Sequence, residues 1–233
     1  MIMPSVSFWL SDSAASASLL CSSSKQVPGR WNRPMAEQYT TERDRFGRLL
    51  ADRQVWRQAT SIPAAGELTA RWLEGRSQYQ PGTFTPGIDA ETEAIASDLV
   101  ALNRNGLFTK ESQPGLLGEG SAQRAYVTGF CTPETAGRLL ELSSRSELVT
   151  VGHAPGEMSR ASIPVTLQDA EIVTVLGTSE SPIEADQLRD WAAEANESLA
   201  LVLAESWYVE VFDPVWGRDG VLLAAVLEAL TSG

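Results

Sequence analysis

The run Asn103-Arg104-Asn105-Gly106 divides the chain into two regimes of hydrophobic pattern. Upstream of it, apolar residues recur at helical spacing. Phe46, Leu49, Leu50 and Val55-Trp56 mark a predicted helix over 41–60, and Leu68, Trp72 and Leu73 mark one over 66–77. Ile95, Leu99 and Leu102 mark a third over 90–103, with Asp89 as N-cap and Glu91 and Glu93 in a first turn where the helix dipole favours anions. Downstream, short β-branched and aromatic runs between turns predict strands over 107–111, 124–130, 148–152, 163–167, 172–176 and 207–212. Helical patterns return over 133–143, 184–203 and 220–230. Strands and helices do not alternate regularly, so the expected class is α+β, a mixed or antiparallel sheet flanked by helices. Asn103–Gly106 reads as a helix stop, as does Ser61-Ile62-Pro63 after the first helix. Gln80-Pro81-Gly82 and Thr85-Pro86-Gly87 read as a turn-rich linker.

With 233 residues, three regions are expected: a Ser-rich disordered segment over 1–34, an N-terminal helix within 35–65, and an α+β domain over 66–233. A regular pattern begins just after Met35, which makes that residue a candidate translation start. The net charge of −12 repels phosphate backbones and anionic lipid, so neither nucleic acid nor a membrane surface is an expected partner. No apolar stretch approaches the ~20 residues of a membrane span, and no basic run precedes the short apolar segment Val6–Leu10, so a signal peptide is not expected. Two isolated thiols, Cys21 and Cys131, suit a reducing cytoplasm, where the protein is expected to reside. Without a CxxC pair, and with His153 the single histidine, no metal site is expected.

The familiar catalytic systems find little support, and no catalytic residue is assigned. His153 lies in Gly152-His153-Ala154-Pro155-Gly156 and reads as a surface-loop histidine. The glycine-rich Gly115–Ser121 lacks the Lys-Ser/Thr ending of a phosphate loop and reads as a flexible loop. Acidic pairs such as Glu91/Glu93 read as solvated faces in a chain with 30 acidic residues.

The informative stretch is Glu91-Thr92, a helix, then Leu107-Phe108-Thr109-Lys110-Glu111-Ser112-Gln113-Pro114. Thr109 and Ser112 are hydroxyl residues three apart at the exit of a strand, and Glu91 opens the helix that feeds it. A carboxylate beside two hydroxyls suits a ligand with an amine, ribose hydroxyls or a cationic centre. Read on the residues alone, a helix cap followed by an ordinary turn accounts for the same pattern.

From Glu91 to Pro114 the sequence resembles the C-terminal regulatory domain of eukaryotic methylenetetrahydrofolate reductase. The resemblance continues at Gln123-Arg124-Ala125-Tyr126 with Phe130, at Thr132–Ala136, at Ile172–Gly177 and at Trp207-Tyr208-Val209 with Asp213. The same blocks, with Gly66–Gly75 before them, are similar to an uncharacterised family common in actinobacteria. The resemblance implies an α+β domain that binds S-adenosylmethionine, and competitively S-adenosylhomocysteine, as an effector that is not consumed. It implies ligand contacts at Glu91 and Thr92, at Thr109 and Ser112, and at Thr174. The folate- and flavin-binding barrel has no counterpart in the residues before the match, the insert after Ser-Gln-Pro is shortened to Gly115–Ser121, and a further threonine contact has no counterpart near 180–185. Three functions compete on this basis: a sensor module for S-adenosylmethionine, with room for a separate protein partner; a scaffold that keeps the fold without the ligand; and an enzyme using the same residues on S-adenosylmethionine, for which the chain offers no credible general base.

Overall fold

The computed structural model describes residues 41–157, 162–176 and 191–232. The expected disorder over 1–34, Met35, Cys21 and the first part of the helix expected over 184–203 lie outside them. The elements in chain order are α1 (Leu50–Trp56), α2 (Ile62–Leu73), α3 (Ala90–Glu93), α4 (Ala96–Arg104), β1 (Phe108–Gln113), β2 (Leu116–Gly118), β3 (Ser121–Gln123), β4 (Tyr126–Cys131), α5 (Pro133–Arg145), β5 (Val149–His153), β6 (Ile163–Gln168), β7 (Glu171–Leu176), α6 (Glu197–Ala204), β8 (Trp207–Phe212) and α7 (Leu222–Thr231).

The strands form two antiparallel four-stranded sheets with orders β1-β4-β8-β5 and β2-β3-β6-β7, flanked by helices. The fold is therefore α+β. Side chains on one face of the first sheet, Val127, Cys131, Val209 and Val211, pack with Leu99 and Leu102 of α4, Leu139 of α5 and Val226 of α7. The other face meets two clusters. Phe108, Phe130 and Tyr208 pack with Trp56, Tyr79, Trp191 and Leu199 at one end. Tyr126 and Phe212 pack with Val165 and Leu176 of the second sheet at the other.

Several sequence boundaries move, each for a local reason. The helix expected over 41–60 is reduced to Leu50–Trp56. Upstream, Asp44 accepts the backbone N–H of Phe46 at 2.8 Å and of Arg48 at 3.0 Å, and Gly47 takes a positive φ of 80°, which closes a turn instead of a helix. Pro63 stops nothing: Ser61 caps the N–H of Ala64, and Pro63 occupies the first turn of α2, where its missing N–H costs no hydrogen bond. The helix expected over 90–103 breaks at Ile95 into α3 and α4, while the Asp89 cap holds, accepting from Thr92 N at 2.7 Å. Gly115–Ser121 is not a loose loop: β2 and β3 form a hairpin through Glu119-Gly120.

Candidate functional site

The chemistry of β1 is set by one irregularity. Phe108 pairs with Phe130 and Thr109 with Gly129, but the next pair is Glu111 with Thr128, so Lys110 is an extra residue in a β-bulge. Gly129 makes the bulge feasible, because a side chain there would press on the Phe108 carbonyl. Opposed residues of an antiparallel pair share a face, and faces alternate along a strand. In a regular strand Thr109 and Ser112 would point to opposite faces. The bulge restores the phase, and the two share the helix-facing side of the sheet with Val127. Glu111 and Gln113 share the opposite face with Thr128 and Tyr126.

The residues singled out in the sequence are distributed as follows. Glu91 is exposed in α3, and that short helix packs against β1. Thr92 is half-buried beside it, its N–H bound by Asp89. Thr109 is buried and engaged within the fold: Asn103 Nδ2 donates to its hydroxyl at 2.7 Å, and its N–H donates to Asn103 Oδ1 at 3.1 Å. Ser112 is half-buried opposite Val127. Thr174 lies on β7, at the edge of the second sheet and opposite Thr166.

A polar path along the seam between the sheets starts at Gln113, on the face of β1 opposite Thr109 and Ser112, and reaches Thr174. Gln123 of β3 donates from Nε2 to Gln113 Oε1 of β1 at 3.1 Å and to the Pro114 carbonyl at 2.9 Å. Gln123 opposes Thr166, and Thr166 opposes Thr174, so the row runs from β1 across the second sheet. Thr174 alternates with Leu176, which packs in the Tyr126 cluster, so this row faces the first sheet. The Thr166 hydroxyl is enclosed there and has no hydrogen-bond partner among the described residues.

Tyr126, directly opposite Gln113, is 4% exposed, and among the described residues its hydroxyl makes no hydrogen bond. Its pKa is pushed up, first by desolvation and then by the negative charges of Glu111 and Glu91. The phenol thus lies within electrostatic reach of a carboxylate from β1 and one from α3, but within hydrogen-bonding reach of neither. The Glu111 side chain is 37% exposed, and Lys110 Nζ stands 3.9 Å from it, at the outer limit of an ion pair. Burial lowers the pKa of Lys110, and Glu111 opposes that shift.

Deeper along the same face, sequence reasoning misses a buried polar row. His153 is not a surface-loop residue. Pairing of β5 with β8 continues through Gly152 to place it opposite Tyr208, where it is 4% exposed and its Nε2 is 3.0 Å from Glu210 Oε2. The Tyr208 hydroxyl donates to Thr128 Oγ1 at 2.7 Å, and the same oxygen accepts the Glu111 N–H at 3.2 Å. Desolvation raises the Tyr208 pKa, and Glu111 and Glu210 add to that effect. Alternation along β4 and β8, with Tyr126 and Phe212 as apolar neighbours of Thr128 and Glu210, is the one sequence signal for this row, and a buried carboxylate is not recognisable from it.

A profile described as "Domain of unknown function (DUF6919)" matches residues 51–233. The chain belongs to that family. Curated relatives are similar over a shorter stretch. "Methylenetetrahydrofolate reductase 1" of Schizosaccharomyces pombe is 30% identical over 127 residues, covering 46% of this chain and 21% of that protein. "Probable methylenetetrahydrofolate reductase (NADH)" of Oryza sativa subsp. japonica is 28% identical over 123 residues, covering 46% and 20%. "Methylenetetrahydrofolate reductase (NADH) 1" of Zea mays is 28% identical over 118 residues, covering 45% and 20%. The chain therefore spans about a fifth of the length of these relatives and contains a domain related to part of them. Among the described residues of this DUF6919 chain, no helix is long and apolar enough to cross a membrane, and no group of three His, Cys, Asp or Glu side chains is placed to hold a metal ion.

Proposed function

We propose that this domain is a sensor module that binds S-adenosylmethionine or S-adenosylhomocysteine without transforming it, the counterpart of a regulatory domain in the reductases it is related to. The observation that carries the reading is the packing of α3 on β1, which brings Glu91 beside the strand bearing Ser112 and within electrostatic reach of Tyr126. A carboxylate there suits the ammonium or sulfonium of the ligand. Ser112, on the helix-facing side of β1, supplies a hydroxyl for its polar edges, whereas Thr174 lies on the row beyond the opposite face. A sensor of this kind acts through a separate protein, which is the partner the reading requires.

A second reading, a scaffold that retains the fold without the ligand, is favoured by one observation: the Thr109 hydroxyl already accepts from Asn103 and serves the architecture. Isothermal titration separates the two. The sensor reading expects saturable, one-to-one heat with S-adenosylmethionine. It also expects Glu91→Ala to weaken binding roughly tenfold or more, since hydrogen bonds to charged groups contribute about 1.5–3 kcal/mol. Absence of binding to the wild-type chain would leave the scaffold.

A further inference from the structure

The second sheet turns one face to the rest of the fold and the other to solvent. Gln123 reaches Gln113 of β1, so the row Gln123, Thr166 and Thr174 faces the first sheet. Neighbours along a strand point to opposite faces, and opposed residues share one. Ala122 therefore points away from the first sheet. Leu117 opposes Ala122, Ala122 opposes Leu167, and Leu167 opposes Ile172 across the bulge at Val173. These four residues form an aliphatic row that crosses every strand of the sheet. Leu117 at one end is 64% exposed and Ile172 at the other is 59% exposed, with Ala122 and Leu167 half-buried between them. Val173, beside Ile172, is exposed as well. A single exposed leucine is ordinary on a protein surface, but a continuous apolar row marks a place where something docks.

Size and charge together select the occupant. With strands ~4.8 Å apart and only three residues each in β2 and β3, the row and its flanks span about 15 Å by 10 Å, or roughly 150–200 Å². A stable dimer buries roughly 800 Å² on each subunit, so two copies meeting on this face fall far short. Each copy also carries a net charge of −12, which opposes both self-association and an anionic lipid surface. The charge beside the row is one-signed. The β2–β3 and β6–β7 turns are tied together by the Asp169 N–H, which donates to the Gly120 carbonyl at 2.6 Å, and this gathers Glu119, Asp169 and Glu171 at one end of the sheet. All three are exposed, and residues 116–123 and 163–176 hold no other charged side chain. We propose that the outer face of the second sheet docks a short amphipathic segment of a separate protein, its aliphatic side chains on the Leu117–Ile172 row and its Lys or Arg side chains beside the acidic turns. This surface lies on the side of the second sheet away from β1, so it stands independently of the ligand-binding reading and serves a sensor or a scaffold equally.

The test is fluorescence anisotropy of two labelled synthetic peptides titrated with the full chain. Both alternate Leu and Ser; one ends in a run of Lys and the other in a run of Glu. Ile172→Ser and Leu117→Ser each remove one end of the row, and Leu201→Ser removes a comparably exposed leucine from α6 as the control. The expected result is saturable binding of the Lys peptide to the wild type and to Leu201→Ser. Binding should weaken roughly tenfold in Ile172→Ser and in Leu117→Ser, and by a similar factor for the Glu peptide on the wild type. The comparison of the two peptides on the wild type holds even if a variant fails to fold. No saturable binding of the Lys peptide, equal affinity for both peptides, or equal weakening in Leu201→Ser would overturn the proposal. Sedimentation showing a wild-type dimer that Ile172→Ser dissolves would give the face to a second copy, and vesicle binding lost in the same variant would give it to a membrane; either result overturns the proposal.

Discussion

Tyr126 and Tyr208 stand on the same face of adjacent strands and are both buried, but among the described residues only the Tyr208 hydroxyl has a hydrogen-bond partner. Their replacement by phenylalanine should therefore differ in sign of consequence. Tyr208→Phe removes a donor from Thr128 and should cost about 1–3 kcal/mol in urea denaturation. Tyr126→Phe removes a group that bonds to nothing described, so stability should be unchanged or slightly higher while S-adenosylmethionine binding weakens. A comparable loss of stability in both variants would show that the Tyr126 hydroxyl has a structural partner. At the same scale, the contacts expected from sequence divide into two kinds. Glu91 and Ser112 remain available to a ligand, whereas Thr109 is tied to Asn103, a buried side chain that also donates to the Leu99 carbonyl at 2.8 Å. Nothing in the spacing of Thr109 from Asn103 distinguishes a hydroxyl that serves the fold from one that serves a ligand.

Elements are placed by close approaches as much as by periodicity. Gly66 of α2 faces the backbone carbonyl of Asn103 in α4, and a methyl group there would overlap it. Gly66→Ala should push α2 off α4 and cost about 1–3 kcal/mol, the usual penalty for overpacking. Gly137, exposed in α5 with nothing near its missing side chain, should behave oppositely: Gly137→Ala should stabilise by about 0.5–1 kcal/mol through helix propensity. Thermal or urea unfolding of the two variants checks both signs. The central strands β4 and β8, the Asp89 cap and the helix over 133–145 are legible in the sequence because local pattern and tertiary role agree there. The β1 bulge is not. Its residue count matches a regular strand, and only the pairing with Gly129 reveals that Lys110 is extra. The turn at Asp44–Arg48 is hidden for a similar reason: side-chain to backbone bonds of Asp44 win over a helical hydrophobic spacing that continues straight through it.

Across the whole molecule, a single buried cation joins segments far apart in the chain. Arg48 donates to Asp44 at 2.7 Å and to the carbonyls of Gln80 at 3.2 Å and Thr83 at 2.6 Å, and lies 3.5 Å from Glu194. Burial alone would raise the Asp44 pKa, but hydrogen bonds and charge from Arg48, with the Phe46 N–H, outweigh it and hold the carboxyl below its ordinary 3.8. The stability this group contributes is therefore complete above pH 3.8 and is lost as the pH falls through its lower folded value. Asp44→Asn should unfold more easily at pH 7 and show a shallower loss of stability below pH 4 than the wild type. Identical acid limbs would contradict the assignment. The two sheets, joined through Tyr126, Val165, Leu176 and Phe212, hold the seam on which the functional account depends. Backbone amide NMR during titration with S-adenosylmethionine locates the ligand site. Saturable shifts centred on Glu91, Glu111–Gln113, Tyr126 and Thr174 are predicted. Absence of shifts, or shifts confined to surfaces remote from β1 such as the exposed side of α5, would contradict the proposed location.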